Sequence, residues 1–171
     1  MKRTAIAVAF IVAWVFAAPT AWAQTSEDKE HAELAKALPA GKVSLEKGLG
    51  ATVREGKPIS GKYEVEEGKL QLSVYTIKGD KFSEVIVDHA TGKIAKVEPL
   101  SKPEDLKAAK AQNEAMAKAK RSLSAAVAEA TKANRGFRAV SAYPAMKDGH
   151  PVADVTLVKG TEWKTESEKL D

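Results

Sequence analysis

Two stretches of the chain, residues 59–79 and 140–160, alternate hydrophobic and polar residues on both sides of a central turn. Alternation with a period of two predicts β-strands that bury one face. Each stretch therefore predicts a hairpin, and a further strand is expected after each one, beginning near Phe82 and Trp163. The predicted turns centre on glycines, which tolerate the positive φ that tight turns require; these are Gly68, Gly79, Gly149 and Gly160.

Three further stretches have helical composition: residues 25–38, 44 to about 54, and 103 to about 133. Ser44 is expected to cap the second helix, and apolar residues follow it at a spacing of four; they are Leu45, Leu49 and Val53. Ser101 and Glu104 have the spacing of a capping box before the third helix, which is expected to bend near Arg121 and Ser122. The combination predicts an α+β protein with antiparallel strands.

The two predicted hairpins resemble each other in sequence. At an offset of 81 residues, Ser60 aligns with Ser141 and Phe82 with Trp163, while the four turn glycines align in pairs. Upstream, Ser44 aligns with Ser122 at an offset of 78. We therefore predict a tandem duplication, with a first repeat at residues 24–98 and a second, degenerate repeat with a long N-terminal helix at residues 99–171. Whether the repeats share one sheet stays open.

Prolines mark one strand of the second repeat. Pro144 and Pro151 lie in or beside its first hairpin. Since proline lacks the N–H that a ladder needs, the strand from Ala139 to Met146 is expected at a sheet edge.

The first 23 residues have the features of an export signal. Lys2 and Arg3 precede a charge-free apolar run of 14 residues, and Ala21 and Ala23 form a small-x-small pattern before Gln24. This pattern predicts cleavage before Gln24 and export, most simply to the periplasm. The run is shorter than the roughly 20 residues that span a bilayer, so no stable membrane insertion is expected after cleavage. The alternative is an uncleaved N-terminal anchor.

Composition narrows the possible functions. The chain contains no cysteine, which excludes disulfides, thiolate metal sites and cysteine nucleophiles. Loss of residues 1–23 removes two basic residues and no acidic ones, so the formal charge falls from +4 to +2. Acidic and basic residues are mixed along the remaining chain, without the clustered basic face of a nucleic-acid-binding protein. We therefore expect no nucleic-acid partner.

One motif resembles a known family. The first repeat closes its third strand with Val87-Asp88-His89-Ala90-Thr91-Gly92-Lys93 after an acidic, alternating hairpin. This arrangement resembles the PepSY domain, over about residues 43–97 and only weakly over residues 122–170. The resemblance implies helix-plus-antiparallel-sheet repeats of cystatin-like shape, with Asp88, Thr91, Gly92 and Lys93 as the family's turn motif. It also implies a role in binding or inhibiting peptidases outside the cytoplasm.

The sequence contains no motif that indicates catalysis. It lacks the H-E-x-x-H, G-x-S-x-G, phosphate-loop and dinucleotide-binding patterns, so we expect no enzymatic activity and no cofactor. Glu27 and His31 share a helix face, and Glu64 and Glu66 share a strand face, but each pair has a simpler role on a solvated surface. Phe82 and Trp163 are expected to be structural.

These observations favour a non-enzymatic exported binding module for a protein or peptide, with a peptidase as the special case that the resemblance implies. The alternative is a periplasmic sensor or carrier for a small ligand or a metal.

Overall fold

The computed structural model describes the backbone of residues 21–171 and the side chains of residues 27–171. Most of the predicted signal segment 1–23 thus lies outside the described residues. The predicted cleavage site lies in the first helix, where only the backbone is described; it comprises Ala21, Ala23 and Gln24.

The described chain forms four α-helices and seven strands, which confirms the α+β class. The helices are α1 (Ala21–Ala37), α2 (Leu45–Ala51), α3 (Pro103–Lys118) and α4 (Leu123–Ala133), and a short 3-10 helix follows α1 at Leu38–Ala40. The strands are β1 (Lys57–Glu66), β2 (Lys69–Lys78), β3 (Lys81–Val87), β4 (Ile94–Pro99), β5 (Arg138–Lys147), β6 (His150–Lys159) and β7 (Glu162–Lys169). Among the described residues, no helix combines the length and hydrophobicity needed to cross a membrane.

All seven strands belong to one antiparallel sheet with the order β4-β3-β2-β1-β5-β6-β7. The two halves of the sheet meet where β1 pairs with β5 through only two residue pairs, Gly61 with Ala142 and Lys62 with Ser141. The two predicted repeats therefore share one continuous sheet, joined by this short ladder.

Local features recur at the offsets seen in the sequence. The register of β1 shifts between Pro58 and Ser60, and that of β5 shifts between Ala139 and Ser141, which are positions 81 residues apart. The Oγ atoms of Ser44 and Ser122, 78 residues apart, each accept a backbone N–H at the start of α2 and α4. The hairpin turns also match, since the acidic residue and the glycine of both have positive φ. The tandem duplication itself stays a prediction.

Helices α2 and α4 pack together against one face of the sheet. A Cβ on Gly61 of β1 would lie 3.1 Å from Leu49 of α2, and a Cβ on Gly48 of α2 would lie 2.7 Å from Leu72 of β2. Glycine at both positions allows the helix to approach the strands closely. Leu49 and Leu72 are fully buried in this layer.

Helices α1 and α3 lie against the opposite face. The hydroxyl of Ser60, which projects on the side opposite Gly61, donates to Oε1 of Gln112 in α3 at 2.7 Å. Lys57 Nζ donates to the Met116 carbonyl at 2.8 Å near the end of α3. The α1 helix contacts β1 and β2, and its Leu34 is buried. The sheet is thus a central layer with helices on both faces.

Three helical details of the sequence prediction are wrong. Val53 is 60% exposed because α2 ends at Ala51, so it does not continue the buried face of Leu45 and Leu49. Lys102 rather than Ser101 is the N-cap residue of α3, and its side chain, an ammonium donor, makes no capping hydrogen bond. The predicted long helix is two helices that separate at residues 119–122, close to the predicted bend near Arg121 and Ser122. At this break the backbone N–H groups of residues 120 and 121 donate to the Leu170 carbonyl.

The predicted edge position of the strand 139–146 is also wrong. This segment lies in β5, which pairs with β6 along its whole length and with β1 at Ser141 and Ala142. Pro144 is tolerated because it lies beyond the two-residue ladder with β1, where no partner requires its missing N–H. Proline in the sequence marked an unpaired stretch of a central strand and not an edge.

Candidate functional site

A trough of about 630 Å³ separates α1 from the face of the sheet that α1 covers. Its volume lies within the range of about 300–1,000 Å³ that is usual for ligand sites. The α1 wall contributes Glu27, Glu30, His31, Glu33 and Leu34. The sheet contributes Lys62, Tyr63, Glu64, Val65, Val140, Ser141, Tyr143, Thr156 and Trp163.

Among the described side chains of α1, those near its C-terminal end pack against the sheet and those before them stand away from it. Leu34 and, just after the helix, Leu38 are buried, while Glu27 and Glu30 are exposed. The imidazole of His31 stacks on the indole of Trp163, with ring centroids 3.9 Å apart and planes inclined by 6°. This stack forms an aromatic end wall and leaves the acidic side chains of α1 facing the gap.

A hydrogen-bonded network forms part of the floor. Lys62 forms an ion pair with Glu64, whose Oε1 also accepts the Ser73 hydroxyl at 2.8 Å. Gln71 Nε2 donates to the Ser73 hydroxyl at 3.0 Å. Burial alone would lower the pKa of Lys62, but the hydrogen bond and charge of Glu64 outweigh it and raise that pKa. Lys62 therefore stays cationic and is already neutralised within the site.

Two tyrosines contribute neutral hydroxyl groups beside this network. Tyr143, at the mouth of the trough, is 37% exposed, and partial burial raises the pKa of its phenol. Tyr75 lies on the same sheet face, where burial and the nearby carboxylates of Glu84 and Glu64 raise the pKa of its phenol. Both phenols remain protonated at neutral pH, so they can donate hydrogen bonds.

The charge of the trough is opposite to that of the chain. Its lining includes four carboxylates and one ammonium, a net charge of −3 with His31 neutral, whereas the whole chain has a formal charge of +4. Among the described residues, no ion pair involves Glu27, Glu30 or Glu33. The trough is therefore a local region of unneutralised negative charge.

The PepSY-like turn lies outside the trough lining. The Asp88 carboxylate accepts the backbone N–H groups of Thr91 at 2.7 Å and Ala90 at 3.0 Å, and Gly92 has a φ of 77°. The Thr91 hydroxyl accepts the backbone N–H of Lys93 at 3.4 Å. The His89 carbonyl accepts the backbone N–H groups of residues 42 and 43, so the turn anchors the chain before α2.

Of the other residues singled out in the sequence, some have structural positions and one lines the trough. The four turn glycines, Gly68, Gly79, Gly149 and Gly160, have positive φ and lie at hairpin turns. Phe82 pairs with Ile77 and packs against the core. Trp163, which the sequence predicted to be structural, also lines the trough.

Sequence reasoning missed the contribution of β5 and β6 to the trough. Ser141, Tyr143 and Thr156 carry no motif, and only the pairing of β5 with both β1 and β6 brings them beside Lys62. The sequence does show that the alternating strands have a polar face, to which these residues belong. It does not indicate which helix covers that face.

The described residues contain no group of three or more potential metal ligands. Glu27 and His31, which share a face of α1, both line the trough, and the His31 ring is stacked on Trp163.

Comparison with protein-family models, with curated proteins and with solved structures gave no match to this chain. The functional argument therefore depends on the geometry of the trough.

Proposed function

We propose that this protein is a non-enzymatic exported binding module that holds a segment of a protein or peptide in the trough between α1 and the sheet. The observation that carries the proposal is the trough itself, a 630 Å³ opening lined by an aromatic stack, hydroxyl groups and carboxylates. The aromatic stack offers apolar contact area, while the hydroxyl and carboxylate groups can fix the orientation of an occupant.

Export and the family resemblance belong to the same proposal. The basic start, the apolar run and the alanines before Gln24 support secretion to the periplasm. The turn at Asp88 and the matched bulges at Ile59 and Val140 support tandem PepSY-like, cystatin-like repeats. Restraint of a peptidase is the special case of this proposal.

Site-specific photo-crosslinking tests the binding site. A photoreactive phenylalanine analogue replaces Tyr143 at the mouth of the trough in the full-length chain, expressed in a bacterial host. The matched control carries the analogue at Val53, which is 60% exposed and follows α2 on the other side of the sheet.

We expect a covalent adduct with a peptide or protein from position 143 and none from position 53. Peptide mapping should place the crosslinked segment of the partner against trough residues. Equal adducts from both positions, or no adduct from position 143, would contradict the proposal.

A further inference from the structure

We infer that the segment held in the trough is a basic one, an extended peptide stretch that presents arginine or lysine side chains to α1. This inference depends on the proposed function, because it specifies the chemistry of the partner for that same site.

The carboxylates on the α1 wall are the first support. Glu27, Glu30 and Glu33 are exposed side chains on α1 that line the trough, and no ion pair neutralises them among the described residues. Removing bulk water from three like charges without a counter-charge is unfavourable. An occupant that brings positive groups supplies the missing charges.

The floor does not supply those charges. Lys62 is the one ammonium among the described lining residues, and its Nζ is already paired with Glu64. An acidic or neutral occupant would therefore leave the α1 carboxylates uncompensated and would compete with Glu64 for Lys62. A basic occupant can contact α1 while the Lys62–Glu64 pair stays intact.

The aromatic groups provide a second, independent preference for cations. His31 and Trp163 form a flat stack at one wall, and the phenol of Tyr143 lies at the mouth. Guanidinium and ammonium groups are attracted to the faces of aromatic rings, and one face of Trp163 is already covered by His31, so the Tyr143 ring is the main candidate for such a contact. Carboxylates beside aromatic rings thus suit a cationic side chain better than an acidic or purely aliphatic one.

A peptide fits the remaining lining better than a small isolated cation. The hydroxyls of Ser141, Tyr143 and Thr156 lie on the sheet side of the trough, opposite the carboxylates of α1. Hydroxyl groups can donate to and accept from the amides of a polypeptide backbone. An extended segment can therefore contact the floor through its backbone and α1 through its side chains.

Calorimetric titration of the full-length protein with a matched set of peptides tests the inference. The peptides share one alanine–serine scaffold and carry arginine, citrulline or glutamate at the same two positions, and free arginine amide is the non-peptide probe. We expect the arginine peptide to bind tightest. Its binding should weaken with added salt, because the screening length falls from about 10 Å at 0.1 M to about 3 Å at 1 M.

Substitutions in α1 test whether its carboxylates cause the preference for the arginine peptide. Glu27→Gln combined with Glu30→Gln should weaken binding of the arginine peptide about tenfold and leave the citrulline peptide unchanged, since two partly exposed charge pairs contribute roughly that much. The matched control is Glu104→Gln with Glu114→Gln, which neutralises two exposed carboxylates of α3. Circular dichroism checks that all variants keep the fold.

The outcomes separate this inference from the proposed function. Suppose that the arginine and citrulline peptides bind equally and that position 143 still gives a specific adduct. This result would overturn the inference that the bound segment is basic, while the trough would remain a binding site. If free arginine amide binds as tightly as the arginine peptide, the inference that the occupant is a peptide segment is overturned. An unchanged affinity after the double α1 substitution would overturn the role of the α1 carboxylates.

Discussion

Arg138 holds together parts of the chain that are about 100 residues apart in sequence. Its guanidinium donates to the carbonyls of Leu38 at 2.9 Å, Gly41 at 2.6 Å and Val43 at 2.9 Å, and lies 4.8 Å from the centre of the Tyr63 ring. These bonds fix the segment between α1 and α2 against the start of β5. The position of α1, and with it the trough, therefore depends on this side chain.

Replacing Arg138 by methionine should lower the free energy of unfolding by about 2 kcal/mol, because hydrogen bonds from a charged group contribute about 1.5–3 kcal/mol. Arg135→Met removes an exposed arginine three residues earlier and should cost far less. Urea unfolding monitored by circular dichroism measures both variants. Equal losses in the two would show that the carbonyl contacts of Arg138 contribute no stability.

The carboxyl of Asp88 gives the fold a predictable acid dependence. The backbone N–H of Thr91, its hydroxyl and the backbone N–H of Ala90 lower the pKa of Asp88 from its ordinary value. A lowered folded-state pKa stabilises the fold above the unfolded-state pKa of about 3.9, and this contribution disappears as pH falls through the folded-state pKa.

Asp88→Asn should therefore be less stable than the native protein at pH 7, and the difference should shrink as pH falls below about 4. Urea midpoints measured from pH 7 to pH 2 follow this change. Asp80→Asn, at an exposed position of another turn, is the matched control. A difference that stays constant with pH would be inconsistent with a stabilising Asp88 carboxylate.

At the scale of elements, two glycines of α2 have opposite roles. A Cβ on Gly48 would lie 2.7 Å from Cδ2 of the fully buried Leu72, whereas a Cβ on Gly50 would meet no atom within 4 Å. The sequence shows only that both residues weaken the helix, because local propensity does not depend on what faces the glycine. The two glycines differ because α2 packs against β2 through Gly48 and not through Gly50.

Gly50→Ala should stabilise the protein by about 0.5–1 kcal/mol through helix propensity, while Gly48→Ala should destabilise it by about 1–3 kcal/mol through overpacking. Thermal and urea unfolding of the two variants gives the comparison, and each serves as the control for the other. Stabilisation by both substitutions would mean that Leu72 rearranges at no cost.

At the scale of the whole molecule, neither half of the sheet has a complete core of its own. Strand β1 pairs with β5, α2 packs against α4, and Gly61 and Ala142 face each other at the junction. The buried side chains form one cluster that includes residues from both halves. Folding of each half therefore depends on the other, and no disulfide compensates, since the chain lacks cysteine.

Residues 43–99 expressed alone should be markedly less stable than the full chain, because they lose α4 and the pairing with β5. The full chain should unfold in a single transition by circular dichroism and by tyrosine fluorescence. Residues 99–171 are the complementary control fragment. A first fragment with the urea midpoint of the full chain would refute this dependence.

The sequence predicted elements whose causes are local. Ser44 caps α2, and Asp148-Gly149 turns a hairpin, because each interaction lies within a few residues of the chain. The prediction that β5 lies at a sheet edge was wrong. A proline shows that one backbone N–H is missing, but it does not show which strands lie on either side. The candidate site was least predictable, since His31 and Trp163 meet across 132 positions of sequence.

Local sequence patterns were enough to predict the α+β class, the hairpin turns, the capped start of α2 and the turn at Asp88, because alternation, capping and positive φ act over short range. Three features emerge only when the chain packs: one sheet runs through both halves, helices cover both of its faces, and an acidic trough opens beneath α1. These features result from strand pairing and packing between distant segments, and residue patterns along the chain do not specify which segments will meet.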